Sequence, residues 1–85
     1  MENQRNNNEF PLEITFKVIF HNKPFVIDMI RNVCAEHNVQ AAIYERESKQ
    51  GKFISYTIVA VFAEESVLNA TCSHIQNIDG FITMF

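Results

Sequence analysis

Residues 51–63 read GKFISYTIVAVFA. Ile54, Tyr56, Ile58, Ala60 and Phe62 fall on one face of a strand, and Phe53, Ser55, Thr57, Val59 and Val61 on the other. Side chains alternate across a strand with a period of two, so each set occupies its own side of the sheet. Both sets are rich in apolar residues. One can pack against a layer of helices, and the fold then turns on what covers the other.

The preceding segments are of two kinds. In FPLEITFKVIF, starting at Phe10, the residues Leu12, Ile14, Phe16, Val18 and Phe20 alternate with Glu13, Thr15, Lys17 and Ile19, which predicts a strand with one buried face. HNK breaks it, with Asn22 the expected N-cap and Pro24 placed in the first helical turn. From Pro24 to His37 the spacing of Val26, Ile30, Val33 and His37, with Met29 and Cys34 alongside, predicts a helix. NVQAAIYERE is a second strand, and its polar end runs into ESKQGK, where Gly51 suits a turn of positive φ.

After the quoted strand, EESVLNATCSHIQNI predicts a second helix with Glu64 and Glu65 at its start. Its inward stripe is Leu68, Thr71, Cys72 and Ile75, flanked by Val67. DG ends that helix, and FITMF is a short last strand. Residues 1–9 are polar and asparagine-rich, which predicts a disordered tail before a single domain over 10–85.

The element order is βαββαβ, the split βαβ pattern of ferredoxin-like α+β domains. It predicts a four-stranded antiparallel-type sheet of order 4-1-3-2 with both helices on one face. Strands one and three are expected to be central neighbours, and to run parallel. With both helices on one side, the chain has no element left for the opposite face. Ile19, Phe53, Val59, Val61, Ile82 and Met84 are the residues expected there, if the last strand buries Phe81, Thr83 and Phe85. Six such side chains, at on the order of 100 Å² each, give about 600 Å² per partner, slightly under a standard interface. Association with a second copy or with another protein follows as the expectation. The uncharged final strand offers a competing route through its bare edge.

The pieces FPLEITFKVI, SKQGKFISYTI and IDGFITMF resemble the YbeD-like family of small bacterial domains of unknown function. The resemblance covers residues 10–85 and is carried by Phe10-Pro11, Lys17-Val18, and Ser48, Gly51 and Ser55 around the second hairpin. Phe53 stands where an aromatic, commonly tyrosine, is expected. The resemblance implies a ferredoxin-like fold similar to regulatory ACT domains, and a regulatory or binding role with no catalytic residues to carry over. It also implies an alternative, an ACT-like domain sensing a small metabolite, and a loose link to lipoate metabolism. An ACT-type site would have a glycine-bearing turn after strand one, where this chain has HNKP.

Other chemistries find little support in the residues. The formal charge is −3 over 85 residues, with the basic residues scattered, so nucleic acid and anionic membrane are not expected partners. RNA-binding domains of the same βαββαβ order carry stacking aromatics on two central strands, where this chain has Ser55 on strand three and Thr15, Lys17 and Ile19 on strand one. Two glycines, Gly51 and Gly80, are too few for a phosphate-cradling loop. No serine or cysteine stands in a nucleophile motif, and no enzymatic activity is expected.

Cys34 and His37 lie near the end of the first helix and Cys72 and His74 near the end of the second, and the helices are expected to run roughly parallel, which would bring these ends together. Two residues apart on a helix, however, Cys72 and His74 point about 200° apart. Two buried thiols and two ordinary histidines are therefore expected, with no metal and no cofactor. The absence of an apolar leader or spanning run, and two cysteines within helical patterns, predict a cytoplasmic protein with reduced thiols.

Overall fold

The computed structural model describes residues 10–85. The tail expected over residues 1–9 lies outside them. The elements are β1 (Leu12–His21), α1 (Val26–Glu36), β2 (Ala41–Glu47), β3 (Phe53–Phe62), α2 (Glu65–Gln76) and β4 (Phe81–Met84). They form one sheet of order β2-β3-β1-β4, which is the expected 4-1-3-2 read from the other edge.

Every pairing in the sheet is antiparallel, including the central β1–β3 pair that was expected to be parallel. The correction is topological. Each helix carries the chain back along the strand before it, so β1 and β2 point the same way with β3 slotted between them. By the same logic β3 and β4 point the same way with β1 between. The helices follow suit, since α1 opposes β1 and α2 opposes β3. They therefore run antiparallel to each other, not parallel.

The alternation read from the sequence sets the core. Phe16, Val18 and Phe20 of β1 and Ile54, Tyr56, Ile58, Ala60 and Phe62 of β3 are all buried toward the helices. Val26, Ile30, Val33 and Cys34 of α1 close over them, joined by Ile75 of α2 and Ile78 just beyond it. Val67, Leu68 and Cys72 pack at the margin of this core. Full burial of a large aliphatic or aromatic side chain stabilises by roughly 1.5–3 kcal/mol. Most of the fold's free energy therefore sits between the two central strands and α1.

The entry to α1 differs from expectation. Asn22 is not its cap: its side-chain amide donates to the Gly51 carbonyl at 2.8 Å, and its backbone N–H to Lys52 O at 2.9 Å. These bonds tie the β1–α1 connection to the β2–β3 hairpin. Pro24 lies ahead of the helix, and Phe25 is the capping residue at φ 74°, ψ −2°. Those are the dihedrals of the third position of a type II turn, for which proline in the second position is the usual companion. A glycine ordinarily follows such a proline, and a phenylalanine there hid the turn from the sequence.

The β2–β3 hairpin closes as its sequence suggests. Gly51 takes φ 75°, its N–H donates to Ser48 O at 2.9 Å, and Ser48 Oγ accepts the Phe53 N–H at 3.1 Å. This closure fixes the β2–β3 register and with it the rows of the uncovered face.

Candidate functional site

The uncovered face can be mapped row by row from the register, because residues directly opposite in neighbouring strands share a side of the sheet. Across β3 and β1 the rows are Val61–Glu13, Val59–Thr15, Thr57–Lys17, Ser55–Ile19 and Phe53–His21. β2 extends three of them, placing Ala42 beside Val59, Tyr44 beside Thr57 and Arg46 beside Ser55. Ile19, Phe53, Val59 and Val61 all lie on this face, as the alternation requires.

The last strand is where the sequence reading goes wrong. Met84 pairs with Val18, which is buried under the helices, and Gln76 Nε2 contacts its sulfur at 3.5 Å. Met84 therefore lies on the helix side and not on the open face. Thr83 pairs with Ile19, a register shift follows, and Phe81 pairs with Phe20. The shift leaves Ile82 as an extra, exposed residue at the β4 edge.

Phe85 also changes sides. It exchanges two backbone hydrogen bonds with Lys17, of 2.7 and 2.8 Å, and the Lys17 ammonium sits 5.9 Å from its ring centroid. The third row thus reads Tyr44–Thr57–Lys17–Phe85 across all four strands. Its outer members are 62% and 67% exposed, the two most exposed aromatics of the sheet. Neither was singled out from the sequence. Tyr44 stood in a strand read only for its polar end, and Phe85 needed the β1–β4 register.

The face is consequently not one continuous apolar patch. Val59 and Val61 lie at one end, Ile19 and Phe53 at the other, with Thr57 and Lys17 between. Phe53 stacks obliquely with His21, ring centroids 5.5 Å apart. A shallow recess of about 230 Å³ opens beside Ser55 at the hairpin end of the face, lined by Ile19, Arg46, Glu47, Ser48, Phe53 and Ile54. Charge on this face is limited to Glu13, Lys17 and Arg46.

The helical side holds a second concavity of about 510 Å³ between α1 and the end of α2, lined by Met29, Val33, Glu36, His74, Ile78 and Asp79 among others. The Asp79 carboxylate is held below its ordinary range by the Lys23 ammonium, 2.8 Å away. His37 Nε2 and His74 Nδ1 lie 3.5 Å apart, and Glu36 Oε1 is 3.6 Å from the same His74 nitrogen. No group of three or more metal-ligating side chains is gathered among the described residues.

The two thiols are free, Cys34 buried and Cys72 partly so. Burial pushes both above their ordinary range, and the nearby Cys72 raises Cys34 further. Only the thiolate reacts, so a raised pKa and limited access slow both groups. In the native protein at neutral pH, a disulfide-exchange dye should label Cys34 and Cys72 at least tenfold more slowly than in urea. Equal rates would place the thiols in solvent.

Thr71, fully buried on α2, has a hydroxyl without a hydrogen-bond partner. Leaving a polar group buried and unpaired costs about 1–3 kcal/mol. Thr71→Val keeps the shape and removes the orphan, and should raise stability by about 1 kcal/mol. A rise in the urea midpoint is the expected reading, and a fall would show that the hydroxyl is satisfied.

Similarity to known proteins agrees with the geometry. A family model described as a protein of unknown function (DUF493) matches residues 5–85. The solution structure of HP0495 from H. pylori has a TM-score of 0.75 at 17% identity, covering 96% of this chain and 89% of that one. The ACT domain from GTP pyrophosphokinase of Chlorobium tepidum has a TM-score of 0.72 at 12% identity, covering 86% and 94%. The C-terminal domain of the MgtC protein from Mycobacterium tuberculosis has a TM-score of 0.71 at 12% identity, covering 94% and 89%. These likenesses show a shared ferredoxin-like, ACT-like fold. A search of curated proteins finds no match.

Proposed function

Because the match over residues 5–85 makes this chain a member of the DUF493 family, proteins of unknown function, we propose a role that its own surface supports: a small non-enzymatic interaction module, regulatory in character, that binds protein on the open face of its sheet. The observation that carries this reading is the sheet face left uncovered among the described residues. Tyr44, Phe53, Val61, Ile82 and Phe85 are exposed on or beside it, while both helices pack on the other side. A monomer gains nothing from such side chains in water, whereas their burial against a partner is favourable at roughly 25 cal/mol per Å² of apolar surface.

The small-metabolite reading has one observation in its favour, the likeness to an ACT domain over most of both chains. The turn after β1 weighs against it. Phe25 takes the glycine-like φ of 74° but carries a phenyl group that is 70% exposed, which crowds the backbone approach a bound metabolite would need. Two reduced thiols and an acidic balance are in keeping with a cytoplasmic setting, and no helix among the described residues is long and apolar enough to cross a membrane. Neither nucleic acid nor membrane is proposed as a partner.

Light scattering over a concentration series tests the proposal, with Phe53→Lys as the comparator. Where the wild type gains mass with concentration, the open-face reading expects the variant to gain less. An equal rise in both would move the contact away from the open face.

A further inference from the structure

We propose that the occupant of the open face is a second copy of this chain, laid face to face about a two-fold axis that runs along the strands between β1 and β3. This rests on the reading of the open face as the binding surface, and adds both the partner and the geometry.

The third row, Tyr44–Thr57–Lys17–Phe85, sets the symmetry. It carries an exposed aromatic at each edge of the sheet, on β2 and beside β4. A two-fold axis along the strands, midway between β3 and β1, exchanges the edges. Each Tyr44 then lies over the other copy's Phe85, and the contact occurs twice. The other rows obey the same operation. Phe53 meets His21, Val59 meets Thr15, and Ser55, beside the recess of about 230 Å³, meets Ile19. The Ile19 side chain thus finds a depression beside the residue it faces.

Charge selects this axis over the alternative. With the axis along the strands, Lys17 faces Thr57, Arg46 faces Thr83, and Glu13 at the end of the sheet faces Val61. No like charges stand directly opposite, and the two Lys17 side chains, one strand apart across the axis, are each drawn outward toward a Phe85 ring. A two-fold axis running across the strands through the same row would place each Lys17 against its own copy. Like charges brought together in an interface are strongly unfavourable. Lys17 is also drawn toward the ring of Phe85, with its ammonium 5.9 Å from the centroid, and so lies along the sheet.

The size of the face sets the strength. The ladder rows place fifteen residues on the open face, which at strand and row spacings of about 4.8 and 6.6 Å cover roughly 480 Å². A standard interface buries about 800 Å² per partner. A contact below that size forms a reversible dimer, with its strength set by the quality of the aromatic contacts and not by area.

Mixing Tyr44→Cys protein with Phe85→Cys protein tests the geometry. A bis-maleimide spanning about 10 Å, the distance between sheets packed face to face, should join position 44 of one copy to position 85 of the other at least tenfold faster in the mixture than in either variant alone. The mass of the unreacted mixture is measured first. If the two changes dissolve the dimer, Arg46→Cys mixed with Thr83→Cys reads the next row in the same way. A dimer that is weakened by Phe53→Lys but gives no 44–85 or 46–83 crosslink overturns this geometry and leaves the open-face reading standing. A dimer indifferent to Phe53→Lys overturns both. A strict monomer of wild type at several hundred micromolar removes the second copy as the occupant.

Discussion

Phe20→Ala is expected to cost about 4 kcal/mol, within the range seen when a buried aromatic is cut to alanine. A domain of residues 10–85 carries roughly 4–11 kcal/mol in total, so this single change removes a third of it or more. Phe20 lies in the central strand β1 and is fully buried. Its ring meets Tyr56 edge-on at 6.0 Å and Phe81 edge-on at 5.6 Å. The first contact holds β1 to β3 on the helix side. The second anchors β4, only four residues long and attached through a shifted register. The loss therefore combines a cavity at the centre of the core with release of an edge strand. Urea unfolding followed by far-ultraviolet dichroism reads it as a fall in midpoint. A cost under about 1 kcal/mol, the size of an ordinary surface change, would mean that Phe20 faces solvent and that the two sides of β1 are reversed.

The same residues explain how much of the fold was legible. In β1 the apolar set alternates with Glu13, Thr15 and Lys17, so the pattern has a polar phase and the buried face can be read directly. β3 lacks a charged phase, but it inherits its register from β1 and from the hairpin at Gly51. FITMF has neither advantage. Its only polar residue is Thr83, and the shift between Ile19 and Phe20 breaks the alternation, so Thr83, Met84 and Phe85 each fell on the wrong side. A one-residue change of register exchanges the faces of a strand.

Two other misreadings have different causes. The direction of the central pair is fixed by connectivity, not by any residue, and was legible from the two crossovers alone. The Pro24–Phe25 turn was masked because phenylalanine occupies a conformation that usually signals itself by glycine. The surface was partly legible in the same sense. Four of the six residues expected on the open face stand in its ladder rows, and Ile82 lies at its edge. The pair that best defines its symmetry, Tyr44 and Phe85, required knowing which residues share a row.

Val59→Lys should weaken association by a hundredfold or more while leaving the fold intact. Val59 is central on the open face, with Ala42 and Thr15 beside it in the ladder. In the free chain a lysine there can lay its stem along the sheet and keep its ammonium in water. The cost to the strand is at most about 1 kcal/mol, the span of β propensity. In a two-fold dimer every substitution occurs twice. Each new ammonium would be covered by the opposing sheet near Thr15, with no carboxylate in the facing row. If each costs only about 1.4 kcal/mol, a factor of ten, the pair weakens binding about a hundredfold. Ile58→Lys supplies the contrast one residue away. Ile58 is fully buried beneath the helices, and an unpaired charge there is costly enough to unfold the domain. The two neighbours therefore separate binding from folding: 59 should lose the dimer and keep the urea midpoint within about 1 kcal/mol of wild type, and 58 should lose the fold. Were Val59→Lys to unfold as Ile58→Lys does, the uncovered side would be the other one. Were it to leave the mass of the associated protein unchanged, the contact would lie elsewhere, with the bare edge of β4 the next surface to test.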